Sequence, residues 1–115
     1  MKKVYYLETC TTCKRILSEV NTDGFDMREI KSKPITKTEL EEMYKLSDAY
    51  ESLFNKRARL YRSEGLADKN LSEEDYKNYL LEEYTFLKRP VFIIDDEIFI
   101  GNSKKTVEAV KAKTN

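Results

Sequence analysis

In the stretch Val4-Tyr5-Tyr6-Leu7-Glu8-Thr9-Cys10-Thr11-Thr12-Cys13-Lys14-Arg15-Ile16-Leu17-Ser18-Glu19-Val20, the apolar pattern changes midway. Val4 to Leu7 is a short apolar run and reads as a strand. Cys13, Ile16, Leu17 and Val20 then fall at i, i+3, i+4 and i+7, the spacing of one helical face. The change of period puts Cys10 where a strand ends and a helix begins. Backbone N–H groups at a helix start lack partners, and the helix dipole adds partial positive charge there. Both favour a thiolate over a thiol, and Lys14 and Arg15 add positive charge nearby. Cys13, one turn further on, can reach Cys10. Three readings stay open from these residues: a redox-active pair with Cys10 as nucleophile and Cys13 as resolving thiol, two ordinary small residues, or half of a zinc site. Zinc usually takes four nitrogen or sulfur ligands, and the chain has two cysteines and no histidine.

The 115 residues are enough for one domain with a single core. Apolar residues are 40% and charged residues 37%, the composition of a soluble globular protein with a heavily charged surface. Lys+Arg and Asp+Glu both number 21, so the net charge is zero and no general grip on nucleic acid or anionic lipid is expected. No apolar run approaches a membrane span, and no signal peptide is read at the start. The expected location is the cytoplasm, where a CxxC pair is more often catalytic, redox-sensing or metal-binding than a structural staple.

Further elements follow in order. Residues 3–7 and 25–30 are expected strands, joined by a helix over 11–20 and the turn cluster Asn21-Thr22-Asp23-Gly24. Such a short crossover favours parallel pairing. After the connector Lys31-Ser32-Lys33-Pro34, Thr36 and Glu39 form a capping-box pattern. The helix they start is expected to bury Leu40, Met43, Tyr44 and Ser47. A short helix is read over Ala49–Phe54. The basic cluster Asn55-Lys56-Arg57-Ala58-Arg59 reads either as a solvated helix end or as an anion or partner site. Gly65 marks a break. Ser72 and Asp75 make a second capping pattern, for a helix running to about Tyr84 with Tyr76, Tyr79 and Leu80 inward, and Leu71 can staple onto Tyr76. Val91–Ile94, Asp95-Asp96 and Glu97–Ile100 read as a hairpin. Ser103 can cap a last helix with Val107 and Val110 inward, and Lys104 and Lys105 sit at its start.

The order β-α-β, helical insert, β-β-α, with CxxC after the first strand and a proline before the third, resembles the thioredoxin fold. Four stretches sharpen the likeness: Tyr6-Leu7-Glu8-Thr9-Cys10-Thr11-Thr12-Cys13-Lys14, Phe54-Asn55-Lys56-Arg57, Leu87-Lys88-Arg89-Pro90-Val91, and Asp95-Asp96-Glu97-Ile98-Phe99-Ile100-Gly101. On these the chain is identified as a member of the ArsC/Spx family, the arsenate-reductase-like branch of glutaredoxin-type proteins. The resemblance implies an α/β fold: a thioredoxin-like mixed four-stranded sheet flanked by helices, one domain over residues 1–115 with a helical insert at about 36–86. It implies Cys10 as nucleophile, with Cys13 as resolving thiol. It also implies Arg89 before a cis-proline at Pro90, and Arg57 as a second arginine that helps bind an oxyanion and steady the thiolate. Thr11, Thr12 and Lys14 would shape the loop. Planar guanidinium groups suit tetrahedral oxyanions and sulfur anions alike.

The chain also departs from its relatives. Glutaredoxin-coupled arsenate reductases usually carry one loop cysteine and a third arginine after the last strand, where this chain has Gly101-Asn102-Ser103. Cys13 is shared instead with Spx-type regulators, which sense disulfide stress through CxxC and bind RNA polymerase; those commonly carry a longer tail. The resemblance implies a reductant such as thioredoxin, or glutathione with glutaredoxin, and no bound cofactor. An oxyanion such as arsenate is the implied substrate, RNA polymerase the partner under the regulator alternative, and a monomer the expected state.

Overall fold

A computed structural model describes residues 1–114. The chain divides into two compact units, one of residues 1–33 with 89–114 and one of residues 34–88.

The first unit is built on four strands: β1 (Lys2–Tyr6), β2 (Asp26–Glu29), β3 (Val91–Ile94) and β4 (Glu97–Ile100). Their order across the sheet is β2-β1-β3-β4. β1 and β2 run parallel, with Tyr6 opposite Glu29 as the last pair. β3 runs antiparallel to both β1 and β4. The parallel pair is joined by α1 (Thr11–Glu19), so the expected β-α-β crossover is present. The unit ends on α5 (Lys104–Thr114). Alternation along the strands sorts the side chains between faces. Val4, Phe92 and Ile94 join Ile16, Val20, Phe25, Val107 and Val110 in one apolar cluster. Phe25 meets Phe92 edge-to-face at 5.9 Å. Fully burying such a side chain is worth about 1.5–3 kcal/mol, so this cluster anchors α1 and α5 to the sheet. Tyr5 points the other way with Arg28 beside it in the register. Arg28 is buried, which its place in an edge strand did not foretell. It donates to the Lys33 carbonyl at 3.0 Å and lies over the Tyr5 ring.

The second unit carries α2 (Lys37–Ser47), α3 (Arg59–Ser63) and α4 (Glu73–Glu82), with 3-10 turns at Glu51–Leu53, Leu66–Asp68 and Tyr84–Phe86. Both capping boxes form: Thr36 with Glu39 and Ser72 with Asp75. Phe54 is the hub of its aromatic packing, stacked on Phe86 at 4.9 Å and edge-on to Tyr76 at 5.0 Å. Two backbone hydrogen bonds, Asn55 N–H to the Phe86 carbonyl and Lys88 N–H to the Leu53 carbonyl, tie the two segments around that hub.

Some local expectations are corrected. Leu40 and Met43 are buried as expected, but Tyr44 is 38% exposed and stacks on Tyr50 instead. The Ala49–Phe54 helix is only one 3-10 turn. The basic cluster at 55–59 does not end a helix; it leads into α3, which starts at Arg59. Asn55 makes that reversal by accepting the Arg57 N–H at 3.0 Å. The helix after Ser72 stops at Glu82 rather than Tyr84, because Glu83 turns to extended backbone and caps the next 3-10 turn. Tyr79 is only half-buried. The hairpin forms as read, with Asp95 in the left-handed region at its turn. The Ser103 hydroxyl accepts the Thr106 N–H at 3.2 Å, the cap expected for α5, and Val107 and Val110 are buried. Among the described residues no helix is long and apolar enough to cross a membrane.

Candidate active site

Cys10 stands immediately before α1, in extended backbone, at the position whose side chain normally caps a helix. Its own carbonyl already accepts the first helical bond, from Lys14 N–H at 3.1 Å. A tight turn delivers it there, closed by Cys10 N–H to the Leu7 carbonyl at 3.1 Å. Leu7 is buried and Glu8 and Thr9 are exposed, so the turn is anchored at one end and open at its tip. Cys10 is half-buried and Cys13 fully buried, and no disulfide joins them.

The two thiols differ in acidity. Burial alone would raise the Cys10 thiol. The Cys13 N–H, the Cys13 thiol, the Arg89 charge and the Thr12 N–H outweigh it, and Cys10 is held below its ordinary value. Cys13 goes the other way, pushed up to about 11. Burial is the main cause there, and the Cys10 charge and hydrogen bond add to it, against the Leu7 backbone and Arg89. The two shifts run in opposite directions, Cys10 down and Cys13 up. The neutral Cys10 side chain makes no capping hydrogen bond. The N–H groups of Thr12 and Cys13 matter once the sulfur carries charge, because a thiol is a weak acceptor and a thiolate a stronger one.

The structure brings together most of the expected residues. Arg89 lies at the start of the segment leading into β3, near enough for its charge to act on both sulfurs. The Arg89–Pro90 peptide bond is cis, and Pro90 is buried. Thr11 is the exposed first residue of α1 and Thr12 is half-buried. Lys14 is exposed, and Arg15 turns to Glu19 at 3.0 Å. Arg57 belongs to the helical unit, where it is exposed just ahead of α3. Gly101, after β4, donates its N–H to the Pro90 carbonyl at 2.9 Å. Among the described residues, no group of three or more His, Cys, Asp or Glu side chains is placed to hold a metal ion.

A residue the sequence did not single out contacts the loop that carries Cys10. Glu29, at the end of β2, accepts the Glu8 N–H at 3.0 Å. Only the register of β1 on β2 puts it within reach, so nothing local to either segment signals it.

The model of the ArsC family matches residues 5–110. The chain belongs to the ArsC family. Among curated proteins, the global transcriptional regulator Spx 2 of Lactococcus lactis is 21% identical over 117 residues, covering 99% of this ArsC-family chain and 89% of that protein. Among solved structures, an arsenate reductase from Vibrio cholerae superposes with a TM-score of 0.75 at 18% identity, covering 95% of this chain and 96% of that one. A protein from Staphylococcus aureus superposes with a TM-score of 0.75 at 24% identity, covering 96% and 98%. At such identities the two superpositions establish the fold, which is the mixed sheet flanked by helices expected of an ArsC-family chain.

Proposed function

We propose that this ArsC-family chain is a cytoplasmic thiol-redox protein of arsenate-reductase-like type, with Cys10 as nucleophile and Cys13 as resolving thiol. The observation that carries the reading is the split between the two thiols. Cys10 is partly accessible with its thiol held below the ordinary value; Cys13 is buried with its thiol pushed up to about 11.

With an oxyanion such as arsenate, the Cys10 thiolate attacks the pentavalent centre. An S–As bond forms and an oxygen leaves as water after taking up protons. That step consumes the Cys10 charge, which is one of the causes holding Cys13 up. Cys13 then loses its proton more readily and attacks the Cys10 sulfur. An S–S bond forms, the S–As bond breaks, and the bonding pair stays on arsenic, which gains two electrons as the sulfurs lose two. With a disulfide substrate the same sequence releases two thiolates. A reductant such as thioredoxin, or glutathione with glutaredoxin, restores the pair. No resident cofactor is needed. Arg89 is the group assigned to the oxyanion.

Arsenate turnover with thioredoxin, its reductase and NADPH tests this. Cys10→Ser is expected to fall to background. Cys13→Ser is expected to lose at least about tenfold under thioredoxin coupling. Full activity in Cys13→Ser would remove the resolving role. The Spx relative, matched along nearly the whole chain, supports a second reading: a redox switch that binds RNA polymerase, acting without turnover and without direct contact to nucleic acid. Absent turnover, with RNA polymerase retained by the immobilised oxidised protein and released on reduction, would favour it.

A further inference from the structure

Glu29 makes more hydrogen bonds than a strand-end carboxylate needs. One oxygen, Oε2, accepts the Glu8 N–H at 3.0 Å. The other, Oε1, accepts the Lys31 N–H at 2.9 Å, the Ser32 N–H at 2.7 Å and the Ser32 hydroxyl at 2.9 Å. The two oxygens therefore face different segments. The 31–32 turn follows directly on β2, and it fixes the carboxylate in one orientation. The oxygen left over is aimed at the loop that carries Cys10.

Within that loop, the Cys10 N–H to Leu7 carbonyl bond closes the turn. The bond sets the shape of the turn but not its position against the sheet. The β1–β2 ladder ends with Ile30 N–H on the Tyr6 carbonyl at 3.0 Å. Beyond it, the Glu8 N–H is a donor that the ladder does not take, and Glu29 accepts it. We propose that Glu29 is a positioning residue for the reactive-cysteine loop, its carboxylate oriented by the Lys31–Ser32 turn and clamping Glu8 so that Cys10 sits against the first N–H groups of α1. This inference rests on the thiol-redox reading for its functional meaning.

Chemistry supports the choice of residue. A hydrogen bond to an ionised acceptor is shorter and stronger than a neutral one. Burial works against the Glu29 charge, but the Ser32, Glu8 and Lys31 N–H groups outweigh it and hold the carboxyl below the usual range. It stays ionised at neutral pH. The hydrogen bonds from Thr12 and Cys13 to the Cys10 sulfur depend on distance and angle, so a loop released from β2 would lose part of them.

The sign of the effect separates positioning from plain electrostatics. A carboxylate disfavours a nearby thiolate, so removing its charge alone would make Cys10 more acidic. Losing the clamp makes Cys10 less acidic. The experiment measures iodoacetamide alkylation of reduced Cys10 across pH, with thiolate absorbance, in wild type, Glu29→Ala, Glu29→Gln and Glu8→Gln. Glu29→Ala is expected to slow alkylation at neutral pH by about threefold or more and move the midpoint up towards that of free cysteine. Glu29→Gln keeps one accepting oxygen and is expected to fall between Glu29→Ala and wild type. Glu8→Gln removes a charge from the same loop while keeping its backbone N–H, and is expected not to slow the reaction. Alkylation that is unchanged or faster in Glu29→Ala overturns the proposal. Should Glu29→Ala fail to fold, amide exchange in the wild type decides: the Glu8 N–H is expected to be protected, and exchange at the rate of an open loop overturns the clamp. A wild-type Cys10 that titrates like free cysteine would instead sink the thiol-redox reading, a result these variants are not needed to see.

Discussion

The start of α1 and the starts of α2 and α4 use the same backbone groups for different ends. At α2 and α4, Thr36 and Ser72 accept the N–H three residues on, and Glu39 and Asp75 accept in return. Carboxylates occupy those first turns, where the dipole favours them. At α1 the capping position holds Cys10, and no acidic residue stands in the first turn. Two helix starts are closed by neutral hydroxyls and fixed charges. The third stands behind a cysteine whose thiol is held below its ordinary value. A helix N-terminus is thus a store of unpaired donors, and what is set in front of it decides whether they hold the fold or hold a reactive anion.

The sharpest way to break this contrast is to remove the remote charge that helps α1 hold its anion. Arg89→Leu is expected to raise the Cys10 thiol and slow its alkylation near neutral pH by about tenfold. The pH profile of the rate should keep its shape with the midpoint moved up; an unmoved midpoint would leave the helix start and Cys13 as sufficient causes.

A smaller effect is expected at the other kind of helix start. Ser72→Ala deletes a cap and should cost about 1 kcal/mol in urea unfolding followed by circular dichroism. The alkylation rate of Cys10 should not change. A slowed rate would mean that the caps of the helical unit also serve the cysteine, and the contrast would fail.

The smallest effect has the opposite sign. Cys10→Ser places a preferred cap before α1 and is expected to stabilise the reduced protein by a few tenths of a kcal/mol to about 1 kcal/mol, while the turnover assay falls to background. Lost stability in that variant would show that the sulfur, not the donors, is what the helix start requires.

Much of the architecture was legible because its signals are short-range. The capping boxes at Thr36 and Ser72, the cap at Ser103 and the Asp95-Asp96 turn each act over a few residues, and each formed. The change of period after Leu7 located Cys10 at a helix start. Reading failed where a side chain had several partners within reach that periodicity and charge do not rank. Tyr44 has the periodicity of a buried residue but stacks on Tyr50. Arg28 carries a charge yet is buried, because the Lys33 carbonyl and the Tyr5 ring receive it. The basic cluster looked like a helix end because its charges suit one, whereas the Asn55 side chain turns it into a helix approach.

Sequence alone determined that one cysteine would stand before a helix with the other a turn behind, since both positions follow from covalent neighbours and helical spacing. Tertiary structure decided how far the surroundings of the two sulfurs differ. Cys13 is buried by the packing of α1 on the sheet, and the charge of Arg89 comes from a segment far along the chain. Acidity depends on surrounding charge and solvent rather than on order along the chain, and only the packed fold supplies those.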